Sequence, residues 1–252
     1  MMDWSKYEKK YKVHVYETGP GGKAGLYVLL DYMQDIASEH AEVLGFGRDD
    51  LLKNNNFWVL SRMYAEFLSW PVWGEELIVR TWPNGTDKLF AMRNYEVIST
   101  GGAKIAGGTS SWLIVDRTTK KIQRPDQQHE RFRIPFNPGE SSARVAEKLP
   151  GVETGNFSLS HLKVMVSHLD VNLHTNNVNY IRCICDTYSL DFVLKNRPVS
   201  VEINYLAESV FGNDISIKTS SDETGLTFNH SIRRDDDDRE LCRVRVIWKK
   251  EE

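Results

Sequence analysis

The feature of this 252-residue sequence that most constrains its fold is that it spells one order of elements twice. The first half opens with a strand-like run at 11–17 and a turn at Gly19-Pro20-Gly21-Gly22. Leu29, Met33, Ile36, His40 and Leu44 follow at spacings of 4, 3, 4 and 4, which places them on one helical face, with Gly45 and Gly47 as the stop. Runs rich in β-branched and aromatic residues come next, at 57–67, 76–82, 90–99 and 104–115. Turn chemistry at Pro83-Asn84-Gly85 and Thr100-Gly101-Gly102 separates them, and 116–121 reads as a polar turn.

The second half repeats the plan. A strand-like run at 162–166 precedes a helical face of Val178, Ile181, Cys185, Tyr188 and Phe192, spaced 3, 4, 3 and 4. Further runs lie at 199–206, 214–219, 227–233 and 241–248. Tyr32 corresponds to Tyr180 at an offset of 148, Val59/Met63 to Val199/Ile203 at 140, and Gly74/Leu77 to Gly212/Ile215 at 138. An offset that drifts by so little indicates a duplicated unit with small insertions. Each unit predicts an antiparallel sheet curved around its helix, in an α+β architecture. The halves are read as 1–124 and 161–252, with a Pro-, Gly- and Ser-rich crossover over 125–160 on the surface.

Composition narrows the function classes. Lys and Arg number 32 against 35 Asp and Glu, a net charge of −3, which gives no electrostatic reason to expect a nucleic acid partner. No stretch approaches the roughly 20 apolar residues of a membrane span. The N-terminus carries Asp3 early and no apolar core, so a secretory leader is not expected and the cytoplasm is. Three cysteines, Cys183, Cys185 and Cys242, suit neither a disulfide framework nor a zinc site, and are expected to be buried thiols. Asp235-Asp236-Asp237-Asp238 reads as a solvated hairpin loop and not as a metal site. Trp58, Trp70, Trp73 and Trp82 read as core and sheet packing.

Chemistry concentrates at Asp170-Val171-Asn172-Leu173-His174-Thr175-Asn176-Asn177, directly before the second helix. Alternation along an extended segment would put Asp170, Asn172 and His174 on one side. Asn176 or Asn177 can cap the helix, whose first-turn N–H groups would stabilise charge developing on a carbonyl oxygen. The matching stretch of the first half, 23–28, has no such residues.

With its continuation Val178-Asn179-Tyr180, this segment resembles the signature of acyl-acyl carrier protein thioesterases, as a bacterial relative of the plant fatty acyl enzymes. Trp58-Val59-Leu60-Ser61-Arg62-Met63, Trp70-Pro71-Val72-Trp73-Gly74-Glu75 with Thr81-Trp82, and Ile203-Asn204-Tyr205-Leu206-Ala207-Glu208-Ser209 resemble further segments of that family. The resemblance implies a tandem, or double, hotdog fold, hydrolysis of fatty acyl-carrier-protein thioesters in fatty acid biosynthesis, and no cofactor or metal. It also implies acyl-chain binding in the first unit, with Met33, Met63 and Met92 as lining, and chemistry in the second.

Mapped residue by residue, the family's site falls on Asp170, Asn172, His174 and Glu208. Glu208, on a central strand facing the helix start, would orient a water or the imidazole, and Asn172 would hold the same water or a carboxylate. His174 would accept and return a proton. Asp170 would either activate the water or attack the thioester itself. Where some members carry a cysteine, this chain has Ser209, so thiol nucleophilic chemistry is not expected and Ser209→Ala should be nearly silent. His168 reads as a structural neighbour. An acidic carrier would need a local basic patch, with Arg131, Arg133, Arg182, Lys195 and Arg197 as candidates. Acyl-coenzyme A hydrolysis, a non-catalytic acyl-binding module and a hotdog dehydratase are the competing readings, and a homodimer of the pseudo-dimer is left open.

Overall fold

The structure, a computed structural model, describes residues 6–152 and 157–251, with every side chain among them except that of Arg131. Residues 1–5, read above for a leader, and 153–156, at the end of the crossover, lie outside the described residues. The chain divides into two units, Met1–Ala146 and Glu147–Glu252.

In the first unit, β1 (Tyr7–Lys12) leads to α1 (Leu26–Val43) and a short α2 (Arg48–Lys53), followed by β2 (Asn56–Phe67), β3 (Glu76–Asp87), β4 (Phe90–Ser99) and β5 (Lys104–Asp116). These strands form an antiparallel sheet in the order β1-β3-β4-β5-β2, and a two-residue β6 (Ile122–Gln123) also pairs with β5. Helix α1 packs over β3 and β1. It buries Leu29, Met33, Ile36 and His40, the face predicted by their spacing, and ends before Gly45 at φ +78°.

Two local expectations fail for tertiary reasons. Pro83-Asn84-Gly85 is not a turn: β3 runs through it with a bulge between Pro83 and Thr86, and the hairpin turns at Lys88, φ +56°. The crossover backbone holds the strand there, since Thr86 N–H donates to Ile134 O at 2.9 Å and Phe136 N–H to Thr86 O at 3.0 Å. Gly85 is needed for that approach, because an added Cβ would lie 2.4 Å from Pro135 O. The crossover, which carries α3 (Pro125–Gln128), is also not confined to the surface. Phe132 is 3% exposed and packs on the rings of Phe46 and Trp58, at centroid distances of 4.8 and 5.6 Å.

In the second unit, β7 (Ser158–Lys163), α4 (Asn177–Cys185), α5 (Leu190–Lys195), β8 (Asn196–Tyr205), β9 (Asp214–Ser221), β10 (Thr227–Arg234) and β11 (Arg239–Lys250) follow in order. The antiparallel sheet order is β8-β11-β10-β9-β7. The single helix predicted over 178–192 is broken. Thr187 Oγ1 donates to Ile184 O at 2.7 Å, and Ser189 Oγ accepts from Phe192 N–H to start α5. The apolar face survives the break, with Tyr188 and Phe192 packed against Phe228 and Trp248.

The opening strand of each unit lies a few residues earlier than its apolar run suggests. Residues Val15–Glu17 and Val166–His168 form 3-10 turns instead, leaving Val15 and Val166 exposed. The acidic run at 235–238 is the β10–β11 turn, where Arg234 pairs with Asp237 and Arg233 with Asp238. No cluster fit for a metal ion occurs among the described residues.

Candidate active site

The polar segment before α4 is a closed turn and not an extended run. Asp170 N–H donates to His174 O at 2.8 Å and Leu173 N–H to Asp170 O at 3.0 Å, with Leu173 left-handed at φ +64°. Asp170 Oδ1 accepts from the backbone N–H of Asn172 at 2.8 Å and of His174 at 3.2 Å. The carboxylate therefore braces the turn as an Asx motif. Among the described residues both bonds fall on one oxygen, which leaves Oδ2 for a substrate or water. Asn172 stands exposed at the apex.

His168 closes the base of the turn. Its carbonyl accepts from Asn176 N–H at 2.9 Å and from Asn179 Nδ2 at 2.8 Å, in keeping with a structural part. Asn176 caps α4 through Val178 N–H at 2.9 Å, and its carbonyl accepts from Asn179 N–H. That leaves the N–H of Asn177, among the described residues, as the donor open at the helix start.

Glu208 is placed differently from the expectation. It lies in the loop after β8, not on the strand, because β8 ends at Tyr205 and both Leu206 and Ala207 N–H turn to a single carbonyl, Leu241 O. Arg234 Nη1 donates to Glu208 O at 3.0 Å, and Thr175 N–H to Ser209 O at 2.8 Å, so the loop is pinned on both sides. These ties bring Glu208 Oε2 to 3.4 Å from His174 Nε2, with the two side chains 51% and 37% exposed. Asp170, Asn172 and His174 thus share one turn, and Glu208 meets it through the imidazole.

The first unit makes the same turn without the same residues. Gly19 N–H donates to Lys23 O at 2.9 Å, Gly22 N–H to Gly19 O at 3.1 Å, and Ala24 N–H to Pro71 O at 2.8 Å. Gly22 is left-handed at φ +72°, like Leu173. This hydrogen-bond register sets the offset at 151 through the turn and helix start and at 138 for the loop, where Pro71 answers Ser209. Leu29, not Tyr32, therefore stands in the place of Tyr180, and 19–26 rather than 23–28 matches the polar segment 170–177. Gly19, Gly21, Lys23 and Trp70 occupy the positions of Asp170, Asn172, His174 and Glu208. One backbone device appears twice, and only the second copy carries the Asp, Asn, His and Glu set.

Sequence reasoning missed the hydroxyls beneath the turn. Ser209, Thr175 and Tyr180 are buried together, and since they lie at 175, 180 and 209 no local pattern in the sequence joins them. The thiols are elsewhere: Cys183 and Cys185 in α4 are pushed up to about 11 and about 12 by burial, and Cys242 in β11 well above its ordinary value. Of the proposed carrier contacts, Arg197 is paired with Glu251 at 12% side-chain exposure and Lys195 with Asp191 at 2.8 Å, which removes Arg197 from the surface. Arg133 and Arg182 are exposed.

Residues 4–129 match the family model described as Acyl-ACP thioesterase N-terminal domain, and residues 152–250 its C-terminal domain. The chain is similar to oleoyl-acyl carrier protein thioesterase 1, chloroplastic, of Arabidopsis thaliana, at 24% identity over 98% of this chain and 77% of that protein. Among solved structures it is similar to an acyl-ACP thioesterase from Bacteroides thetaiotaomicron, at 25% identity and a TM-score of 0.80, covering 97% of this chain and 98% of the other. The 12:0-ACP thioesterase from Umbellularia californica shares the fold at a TM-score of 0.85 and 21% identity, over 98% of this chain and 94% of that one.

Proposed function

The chain belongs to the acyl-ACP thioesterase family, and on that premise we propose that Asp170, Asn172, His174 and Glu208 hydrolyse the thioester of fatty acyl-carrier protein, releasing the free acid and the holo-carrier. The fold is the double hotdog of that family. The observation that carries the site assignment is the contact of His174 Nε2 with Glu208 Oε2 at 3.4 Å, on a turn braced by Asp170.

Hydrolysis needs a base for the attacking water, donors for the oxyanion and a proton for the departing thiolate. The His174–Glu208 pair supplies the base: the imidazole takes the water's proton while the carboxylate steadies the imidazolium, and the same proton then passes to the leaving sulfur. Asn172, exposed at the turn apex, and Asn177 N–H are placed to receive the substrate oxygen or hold the water. With Asp170 Oδ1 engaged by two backbone donors, we favour water attack over an acyl-enzyme on Asp170.

The division between 1–124 as acyl-binding unit and 161–252 as catalytic unit is proposed on the same footing. Met33, Met63 and Met92 are flexible thioethers in the core of the first unit, suited to adapting around a chain. Arg133, Arg182 and Lys195 are exposed candidates for an acidic carrier. We place the reaction in fatty acid biosynthesis in the cytoplasm; no helix of the described residues is long and apolar enough to cross a membrane.

The test is thiol release from a ladder of acyl-carrier-protein thioesters beside the same acyl groups on coenzyme A. Faster turnover on the carrier supports the reading and reports the chain length. Equal or better turnover on coenzyme A would reassign the substrate, and no release from either would overturn the enzyme.

A further inference from the structure

Behind the His174–Glu208 pair, three hydroxyls meet away from solvent. Ser209 Oγ lies 2.7 Å from Thr175 Oγ1 and 2.8 Å from Tyr180 Oη, and the three residues are 0%, 8% and 2% exposed. Thr175 directly follows His174, and Ser209 directly follows Glu208. The cluster therefore sits at the seam where the turn meets the loop, beside the backbone bond from Thr175 N–H to Ser209 O at 2.8 Å. Tyr180, on the first turns of α4, ties that seam to the helix. Three hydroxyls supply three donors, enough for both bonds, and burial holds the Tyr180 phenol up at about 12, so it stays a donor across the working pH range.

The first unit provides an internal control. Its turn closes with the same backbone bond, Ala24 N–H to Pro71 O at 2.8 Å, and with Ala24, Pro71 and Leu29 at the three hydroxyl positions. The fold thus forms this seam with apolar side chains, and burying three polar groups gains little over that alternative. What distinguishes the second seam is that each of its strands of chain carries a catalytic group one residue away.

We propose that Ser209 is a positioning residue: with Thr175 and Tyr180 it forms a buried hydroxyl knot that fixes the approach of Glu208 to His174. The inference rests on the reading of that pair as the proton-transfer device. It replaces the expectation that Ser209→Ala is silent, which weighed Ser209 only as a nucleophile.

Steady-state thiol release from an acyl-carrier-protein substrate tests it with Ser209→Ala, Ser209→Cys, Tyr180→Phe and Glu208→Gln, each checked for folding by near-UV circular dichroism. Ser209→Ala should lower kcat about tenfold with KM unchanged, since a slackened pair is misaligned only at the chemical step. Tyr180→Phe should move kcat in the same direction and decides the matter if Ser209→Ala does not fold. Ser209→Cys, which keeps a donor, should recover most of the loss. Unchanged kcat in Ser209→Ala and Tyr180→Phe beside an inactive Glu208→Gln would overturn the knot and leave the site standing. Losses in kcat and KM together that Ser209→Cys does not restore would reduce Ser209 to a packing residue. Full activity in Glu208→Gln would instead remove the catalytic reading beneath it.

Discussion

His174 Nε2 and Glu208 Oε2 stand 3.4 Å apart although 34 residues separate them in the chain. Both side chains are substantially exposed, so solvent screening leaves their attraction little to contribute to folding. An exposed pair held by pinned backbone on both sides is what the proposed proton-transfer role requires.

Replacing Glu208 by Gln keeps a side chain of the same shape beside the imidazole and removes its charge. The kcat for thiol release should fall on the order of 100-fold, with the melting temperature unchanged. A variant of near wild-type kcat would show that the carboxylate is not part of the proton transfer.

Asp170 braces the turn, its proposed catalytic role is a second duty, and two substitutions part them. Asp170→Asn retains an oxygen to accept from the N–H groups of Asn172 and His174, so the turn should survive while activity is lost if the charge is needed. Asp170→Ala should lose activity and lower the melting temperature as well. Equal activity of Asp170→Asn and wild type would confine Asp170 to bracing.

Thiol reagents should leave the enzyme active. Burial pushes Cys183 and Cys185 up to about 11 and about 12, so at pH 8 both are protonated and poorly nucleophilic. Iodoacetamide at that pH should not reduce turnover, and stoichiometric inactivation would reopen sulfur chemistry.

His230 sets a pH dependence of stability. Burial lowers its imidazole to about 3, with Tyr188 Oη at 2.8 Å from Nε2 and Thr219 Oγ1 at 2.9 Å from Nδ1. In the unfolded chain it titrates near the usual value of about 6.5, so below that pH the unfolded state binds a proton that the native state does not. Its contribution is fully present above about pH 6.5 and declines as pH falls toward 3. The melting temperature should drop between pH 6.5 and 5, ahead of most carboxylates, and His230→Gln should flatten that drop; an identical slope in the variant would sink the assignment.

Phe132 anchors the crossover to the first core through Phe46 and Trp58. Phe132→Ala should cost about 3 kcal/mol of stability in denaturant unfolding, as a large aromatic removed from a closed cluster. A cost near zero would mean that the segment rests on the surface as its composition suggests.

Periodicity by itself determined the two-unit plan. The α1 face from Leu29 to His40 and the runs that became β2, β4, β5, β9, β10 and β11 are written in residues whose spacing follows the local geometry of helix or strand. The residues of the proposed site, Asp170, Asn172, His174 and Glu208, were named from the sequence, and the structure brings them to one turn and the loop beside it. Tertiary structure decided what distant backbone imposes. It runs β3 through Pro83-Asn84-Gly85 because the crossover bonds to Thr86, and it places Glu208 on a loop because Leu241 O draws the chain off β8. It also buries Ser209 against Thr175 and Tyr180, where only the meeting of turn, loop and helix gives a lone hydroxyl its partners. Spacing along a chain encodes which face a residue shares with its near neighbours; which remote carbonyl or hydroxyl it meets is set by packing, and the site is made of such meetings.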